Sequence, residues 1–341
     1  MIGRYHPAMS APPPDLPRFR LFDGPSPLTR LPRFSTALGH DVEVWVKRED
    51  LLPLAFGGNK LRNLEFLVGA ALAEGADTLI TSGRRWSNHC RLTAAAGAKA
   101  GLSVELVLSG PPVDPPGPGV GLMRALGAVV HQLPDADRAR REAEVERVAG
   151  SVRVRGGRPF VIGVGGSGSV GAWGQLLAGL ELFDQAAAVG LAIDRIVVPS
   201  ATGGTQAGLI AAAVRRSPAA RVTGVIVARP ASELRLAIGS MVADLAAMAG
   251  SDPGARPAAS ASSLPIDFDD GQLGDGYGRV TAAATDAADL LARTEGILTD
   301  PIYTAKALAA LIAAVRSGAW DGERIVFWHA GGLPGIFEPL D

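Results

Sequence analysis

The chain has 341 residues, 47% hydrophobic and 20% charged, with a formal net charge of −1. These values exclude a disordered chain and the basic field of a nucleic-acid binder, and they leave room for two domains or one large α/β unit. The one cysteine, Cys90, excludes a disulfide framework and fits a reducing compartment.

In chain order, the opening MIGRYHPAMSAPPPDLPRF lacks an apolar core of signal-peptide length and reads as a loose, proline-rich leader. Apolar segments that predict strands follow at 42–46, 78–82, 103–108, 128–133, 159–164, 195–200, 221–227 and 324–329. Helical patterns rich in Ala and Leu lie between them, at about 60–74, 88–100, 118–126, 136–150, 170–187, 204–215, 232–249, 279–294 and 303–316. This alternation predicts parallel sheets with helices on both faces, either one large sheet or two smaller ones with a cleft between them. The stretch PPVDPPGPG (111–119) reads as a surface loop, and 251–276, rich in Gly, Pro, Ser and Asp, as a long functional loop or lid-like excursion. Every apolar stretch is broken by Gly, Arg or Asp well short of a membrane span. The expectation is a soluble cytoplasmic protein.

Six segments could carry chemistry. In FGGNKLRNLEF, Gly57 and Gly58 permit close backbone approach, and Asn59 is a good N-cap that puts Lys60 in the first turn of a helix. A cation there opposes the helix macrodipole, so a local rule is broken where function can break it. The residue is a solvated lysine, a phosphate clamp or a covalent catalyst. Only four of the 33 basic residues are lysines, Lys47, Lys60, Lys99 and Lys306, which shortens the list for amine chemistry.

Further on, Ser87, Asn88 and His89 open an alanine-rich helix at a strand's C-terminal end, where open α/β sheets bind ligands. An N-cap with an incidental histidine is the plainer reading. Residues 200–205, Ser-Ala-Thr-Gly-Gly-Thr, join a strand to a helix and suit phosphate, though without the lysine and spacing of an NTPase loop. Residues 166–171 match G-x-G-x-x-G, but the acid that a dinucleotide fold needs after a second strand is missing, because LAGLELFDQ is helical. In TEGILTDPIYTAKAL, Asp300-Pro301 makes a turn that leads Tyr303 and Thr304 into a helix. Finally FWHAGGLPGIFE ends a buried strand in His329 and two glycines.

In this order the segments VKREDL, FGGNKLRNLEF, SNHCRLTAA, VGGSGSVGAWG, ATGGTQAGL, LTDPIYTAKAL and HAGGLPGIF resemble the pyridoxal phosphate (PLP) enzymes of fold type II, the tryptophan synthase β-like fold. The likeness is strongest to the branch with D-cysteine desulfhydrase and 1-aminocyclopropane-1-carboxylate (ACC) deaminase. It runs from about Pro25 to Phe337. It implies an α/β fold of two open twisted parallel-sheet domains with flanking helices and PLP in the cleft between them. The large domain would be 1–53 plus 164–341, and the small domain 54–163.

The resemblance also implies roles. Lys60 matches the lysine that holds PLP covalently, Asn88 the partner of its hydroxyl, and Ala201, Thr202, Gly203, Gly204 and Thr205 the phosphate cradle. Asn59 and Thr304 also fall among the cofactor-binding positions. Ser87, Asn88 and His89 match the loop that holds the substrate carboxylate, with Trp86, Gly166 and Leu333 at further substrate positions. Tyr277 and Tyr303 match two active-site tyrosines, which with Ser87 complete the catalytic set around Lys60. The implied reaction is α,β-elimination on a small amino acid to a 2-oxo acid, ammonia and sulfide, in a homodimer without metal, nucleic acid or membrane.

Departures from the family pattern bear on the substrate. ACC deaminases typically carry glutamate at position 304, facing the pyridine nitrogen. Threonine cannot supply that charge, which favours elimination over cyclopropane opening, whereas Leu333 is an ACC deaminase-like feature. Trp86 stands where glutamine is usual, Arg84-Arg85 where a small apolar pair is, and Ala330 where threonine is common. These imply either packing changes or a substrate with a second anionic group, a sulfonate such as cysteate or a carboxylate. A PLP-binding protein without catalysis is the remaining alternative.

Overall fold

The computed structural model describes residues 16–339, apart from 112, 114–115, 136 and 250–265. Two sheets form. The larger has six strands in the order β1-β2-β10-β7-β8-β9, comprising β1 (Leu28–Arg30), β2 (Glu43–Arg48), β7 (Arg195–Ser200), β8 (Arg221–Ile226), β9 (Asp267–Asp269) and β10 (Arg324–His329). All its pairings are parallel except that of β1 with β2. The smaller is wholly parallel, in the order β5-β4-β3-β6, from β3 (Thr78–Arg84), β4 (Ser103–Ser109), β5 (Val129–Leu133) and β6 (Pro159–Val161).

The parallel strands need crossovers, and helices supply them. In chain order these are α1 (Pro32–Leu38), α2 (Lys60–Ala73), α3 (Asn88–Ala100), α4 (Pro118–Ala125), α5 (Arg138–Val154), α6 (Ser169–Ala188), α7 (Gly204–Arg216), α8 (Ala231–Ala249), α9 (Ala282–Glu295) and α10 (Thr304–Arg316). Central strands such as β7 and β10 are apolar between their end residues because both faces are covered, and Val197, Val326 and Phe327 are fully buried. Among the described residues no helix is long and apolar enough to cross a membrane.

Helix α2 joins the two halves. Leu61, Leu64 and Val68 enter the core of the small sheet with Leu79, Val104 and Leu106. Phe66 enters the core built on α6, α7 and α8. The first residue of α2 therefore sits where the two sheets meet.

The predicted elements are found with ends shifted by a few residues. β1, α1 and β9 are additional. β9 lies inside the stretch read as a long loop, of which 251–265, like the leader 1–15, fall outside the described residues.

Candidate active site

The C-terminal ends of β3, β7 and β10 and the starts of α2, α3 and α7 converge on one cleft. β7 and β10 are parallel neighbours that end at the same edge of the larger sheet, and the loops after them and after β3 of the smaller sheet line the opening.

Lys60 is the first residue of α2, and its loop is held on several sides. Gly58 N donates to Glu49 O at 2.9 Å, and Asn59 N to Ala330 O, after β10, at 3.0 Å. The expected cap behaves differently from the sequence reading. Asn59 makes no side-chain cap. Its Nδ2 instead donates 2.8 Å across the cleft to Thr205 Oγ1. Gln175 Nε2 donates to Asn59 O at 2.7 Å.

The other three lysines are engaged. Lys47 Nζ donates to Glu181 at 2.5 Å, Lys99 Nζ to Leu21 O at 2.6 Å and Lys306 Nζ to Leu273 O at 2.7 Å. Lys60 lines the cleft with no ion pair or hydrogen bond to its amine among the described residues, and burial lowers its pKa to about 8.

Helix α3 presents Ser87, Asn88 and His89. Ser87 caps the helix by accepting from Cys90 N at 3.2 Å, so its hydroxyl proton remains free to donate. Asn88 Oδ1 accepts from Arg91 Nη2 at 3.1 Å. Arginine has only donors, so the Asn88 amide is oriented with Nδ2 as its free donor. Thr81 Oγ1 donates its proton to Ile162 O at 2.8 Å and lies 3.0 Å from His89 Nε2, which must therefore be the donor of that pair. His89 Nδ1 is then a bare acceptor, buried with no partner. Burial, with the charge of Lys60 behind it, lowers the His89 pKa to about 3, so the ring is neutral.

Between β7 and α7, Gly203 holds φ +84, a conformation that strongly favours glycine. It starts α7 without a side-chain cap. The unpaired N–H groups of the first turn and the positive end of a 13-residue helix are therefore offered to an anion. Beside them the buried Ser200 Oγ has no partner. Ser167 Oγ and Thr202 Oγ1 hydrogen-bond across the loop. This donor set fits a phosphate.

Tyr277 and Tyr303 line the cleft with their hydroxyls hydrogen-bonded to each other. Burial raises both pKa values, that of Tyr303 further because Tyr277 adjoins it. Both phenols stay protonated at neutral pH. Arg84 and Arg141 also line the cleft, whereas no Asp or Glu does so among the described residues.

Of the cofactor, catalytic and substrate positions that the resemblance implies, Lys60, Asn59, Ser87, Asn88, His89, Ala201, Thr202, Gly203, Gly204, Thr205, Tyr277 and Tyr303 line this cleft. Four do not. Thr304 turns its hydroxyl onto Asp300 Oδ1 at 2.5 Å. Trp86 packs against Tyr277 with the rings tilted by 54° and their centroids 6.2 Å apart. Gly166 gives its carbonyl to Asn63 Nδ2 at 3.0 Å, behind His89. Leu333 lines a separate apolar groove with Phe56, Leu122 and Phe337. Arg85 stacks on Trp86 and donates to Pro339 O.

The sequence reading missed Arg141, which lies in the charged run RARREAEVER and looks like any solvated arginine there. It also missed Arg91, which donates to Ala55 O and Gly57 O in the Lys60 loop and to Asn88.

Comparison with known proteins gives consistent matches. The description "pyridoxal-phosphate dependent enzyme" matches residues 19–331. D-cysteine desulfhydrases of Salmonella choleraesuis (strain SC-B67) and Salmonella typhi are each 38% identical over 326 residues, covering 94% of this chain and 95% of theirs. The crystal structure of an ACC deaminase homologue superposes with a TM-score of 0.85 at 30% identity, covering 98% of this chain and 97% of the other.

Proposed function

The chain belongs to the family of pyridoxal-phosphate dependent enzymes, and on that premise we propose that it is a deaminating lyase of the D-cysteine desulfhydrase kind. It would remove the α-proton and β-substituent of a small amino acid and release a 2-oxo acid, ammonia and, from D-cysteine, sulfide. One observation carries the reading: of four lysines, Lys60 alone among the described residues presents an uncommitted amine, and it does so in the cleft that also holds the uncapped start of α7.

When bound, PLP supplies a conjugated ring that withdraws negative charge from the substrate Cα. The chain's residues do the rest. The first-turn N–H groups of α7, with Ser200 and Thr202, would hold the phosphate. Asn88 Nδ2, fixed by Arg91, would be a donor for the cofactor's phenolic oxygen. Lys60 would hold the cofactor at rest, and its amine, which when free has a pKa of about 8, would be a competent base for the Cα proton near neutral pH. Ser87 and the first N–H groups of α3 bind the substrate carboxylate. One hydrogen bond between Tyr277 and Tyr303 uses one of their two protons, leaving the other for the departing group.

Two observations weigh against cyclopropane opening. No carboxylate lines the cleft among the described residues to keep a ring nitrogen protonated, and Thr304 is spent on Asp300. Leu333, the ACC deaminase-like feature, lies in the separate groove.

The proposal includes a homodimer in the cytoplasm, in keeping with one free, buried thiol. It also assigns 54–163 to a small domain and 1–53 plus 164–341 to a large one, in keeping with the separate sheet formed by β3 to β6.

The test is a product assay on the PLP-loaded enzyme. Pyruvate, ammonia and sulfide should appear in equal amounts from D-cysteine. Silence with D- and L-cysteine, alongside 2-oxobutanoate and ammonia from ACC, would establish ring opening instead.

A further inference from the structure

Resting on the lyase reading above, we propose that Arg84 and Arg141 form a subsite for an oxyanion carried on the substrate's β-carbon. The substrates would then be alanine derivatives whose β-substituent is a sulfur or phosphorus oxyanion.

The two arginines reach the cleft from different elements, the end of β3 and the first turn of α5, and both line it beside Tyr277. Neither has a carboxylate partner within ion-pair distance among the described residues. The acids nearby are taken: Glu142 holds Arg138 at 2.9 Å and Asp135 holds Arg140 at 2.5 Å. The Arg84 guanidinium is pinned between rings, 6.0 Å from the centroid of Trp86 and 5.9 Å from that of Tyr277. Arg141 Nη1 reaches Ser109 Oγ at 3.4 Å, while its Nε is buried with no partner at all. A buried guanidinium N–H without an acceptor is costly, and two like charges facing one space compound the cost. An anion between them relieves both.

Neither of the anions already assigned fills that role. The cofactor phosphate has its cradle at α7, and the substrate carboxylate has Ser87 and the start of α3. What remains is the side chain of the substrate. Elimination narrows its chemistry, because the β-substituent must leave with the bonding electron pair. A carboxylate on Cβ cannot do so, whereas a sulfonate leaves as sulfite, an S-sulfonate as thiosulfate and a phosphate ester as phosphate.

For 3-sulfoalanine the balance closes without an oxidant. The Cα–H bond breaks to the base, and the C–S bond breaks with its electron pair going to sulfur as sulfite. The resulting enamine takes up one water and gives pyruvate and ammonium. Bidentate recognition by guanidinium suits such tetrahedral oxyanions.

The experiment has two arms on the PLP-loaded enzyme. In the first, pyruvate release is measured from both enantiomers of 3-sulfoalanine, S-sulfocysteine, O-phosphoserine and cysteine. In the second, calorimetry compares binding of unreactive 3-sulfopropanoate with propanoate. At least one oxyanion substrate should be turned over, and the sulfonate should bind at least about tenfold tighter than propanoate. Arg141→Gln, and separately Arg84→Gln, should lower the kcat/KM ratio of oxyanion substrate to cysteine at least about tenfold and erase the binding preference. Two variants guard against misfolding of either one. If cysteine is turned over but no oxyanion substrate is, or if the ratio is unmoved in both variants, this inference falls while the lyase reading stands. If nothing yields pyruvate, both fall together.

Discussion

Lys60 combines three properties that single lysines rarely share: it lies in a glycine-rich loop, it is partly buried, and its amine has no partner among the described residues. Burial lowers its pKa from 10.5 to about 8. Between those values the folded apoenzyme binds fewer protons than the unfolded chain, so this group makes folding more favourable as pH rises from about 8 towards 10.5. It follows that an amine-acylating reagent should label Lys60 of the apoenzyme ahead of Lys47, Lys99 and Lys306, with a rate that climbs through a midpoint near pH 8. Peptide mass spectrometry across pH 6.5–9.5, a range set about that midpoint, reads this directly. A midpoint near 10.5 would mean that the amine is solvated.

This lysine was legible in the sequence because lysine is scarce and its loop is punctuated by glycine. Arg141 was not. In a run of alternating charge nothing distinguishes the arginine that faces a cleft from those that face water, and only the packing of α5 beside β3 decides it. Thr304 shows what spacing alone leaves out. Its place in the chain suggests the cofactor, and Asp300, four residues back, takes its hydroxyl and the N–H groups at the start of α10.

At the scale of elements, the cofactor loop is strained and clamped. Ala55 and Phe56 hold φ of 45° and 65°, unusual for residues with side chains, so the surroundings must impose the conformation. The clamp is Arg91 on α3, which binds Ala55 O and Gly57 O and orients Asn88. Arg91→Ala should therefore weaken PLP binding by about 10- to 100-fold, as loss of a supporting shell does at other bound groups. It should also lower kcat, since Lys60 and Asn88 lose their placement together. Cofactor absorbance titration and steady-state kinetics test this, and unchanged PLP affinity would show that the loop holds itself.

Long apolar strands such as β7 and β10 were visible from composition, and their helices from the 3.6-residue period. β1 and β9 were not, because three residues, LTR and DFD, carry no period. They exist only because a sheet edge was already there to receive them.

For the whole molecule, the two sheets are joined where α2 crosses between cores, and a buried ionic network ties the same region together. Glu181 on α6 accepts from Lys47 on β2 at 2.5 Å and from Arg62 on α2 at 2.8 Å, and Arg62 also reaches Glu49 at 2.9 Å. Burial alone would raise the Glu181 pKa, but Arg62 and Lys47 outweigh it and hold the carboxyl below its usual value. Its contribution to stability is therefore present above a pH of about 4.5 and lost as pH falls through the lowered value. Glu181→Ala leaves two buried cations short of a partner and should cost about 3–5 kcal/mol in urea unfolding at pH 7. A loss below about 1 kcal/mol would mean that Glu49 beside Arg62, and Gln185, whose Oε1 accepts from Lys47 Nζ at 2.6 Å, suffice. The network was invisible in the sequence because its members lie up to 134 residues apart.

The account turns on one lysine among four. Borohydride treatment of the PLP-loaded enzyme, which fixes a lysine-bound cofactor to the chain, followed by peptide mapping, tests it most directly. The phosphopyridoxyl group should be found on Lys60 alone, and Lys60→Ala should carry none while losing at least about a thousandfold in turnover. Label on Lys47, Lys99 or Lys306, or full turnover without Lys60, would contradict it.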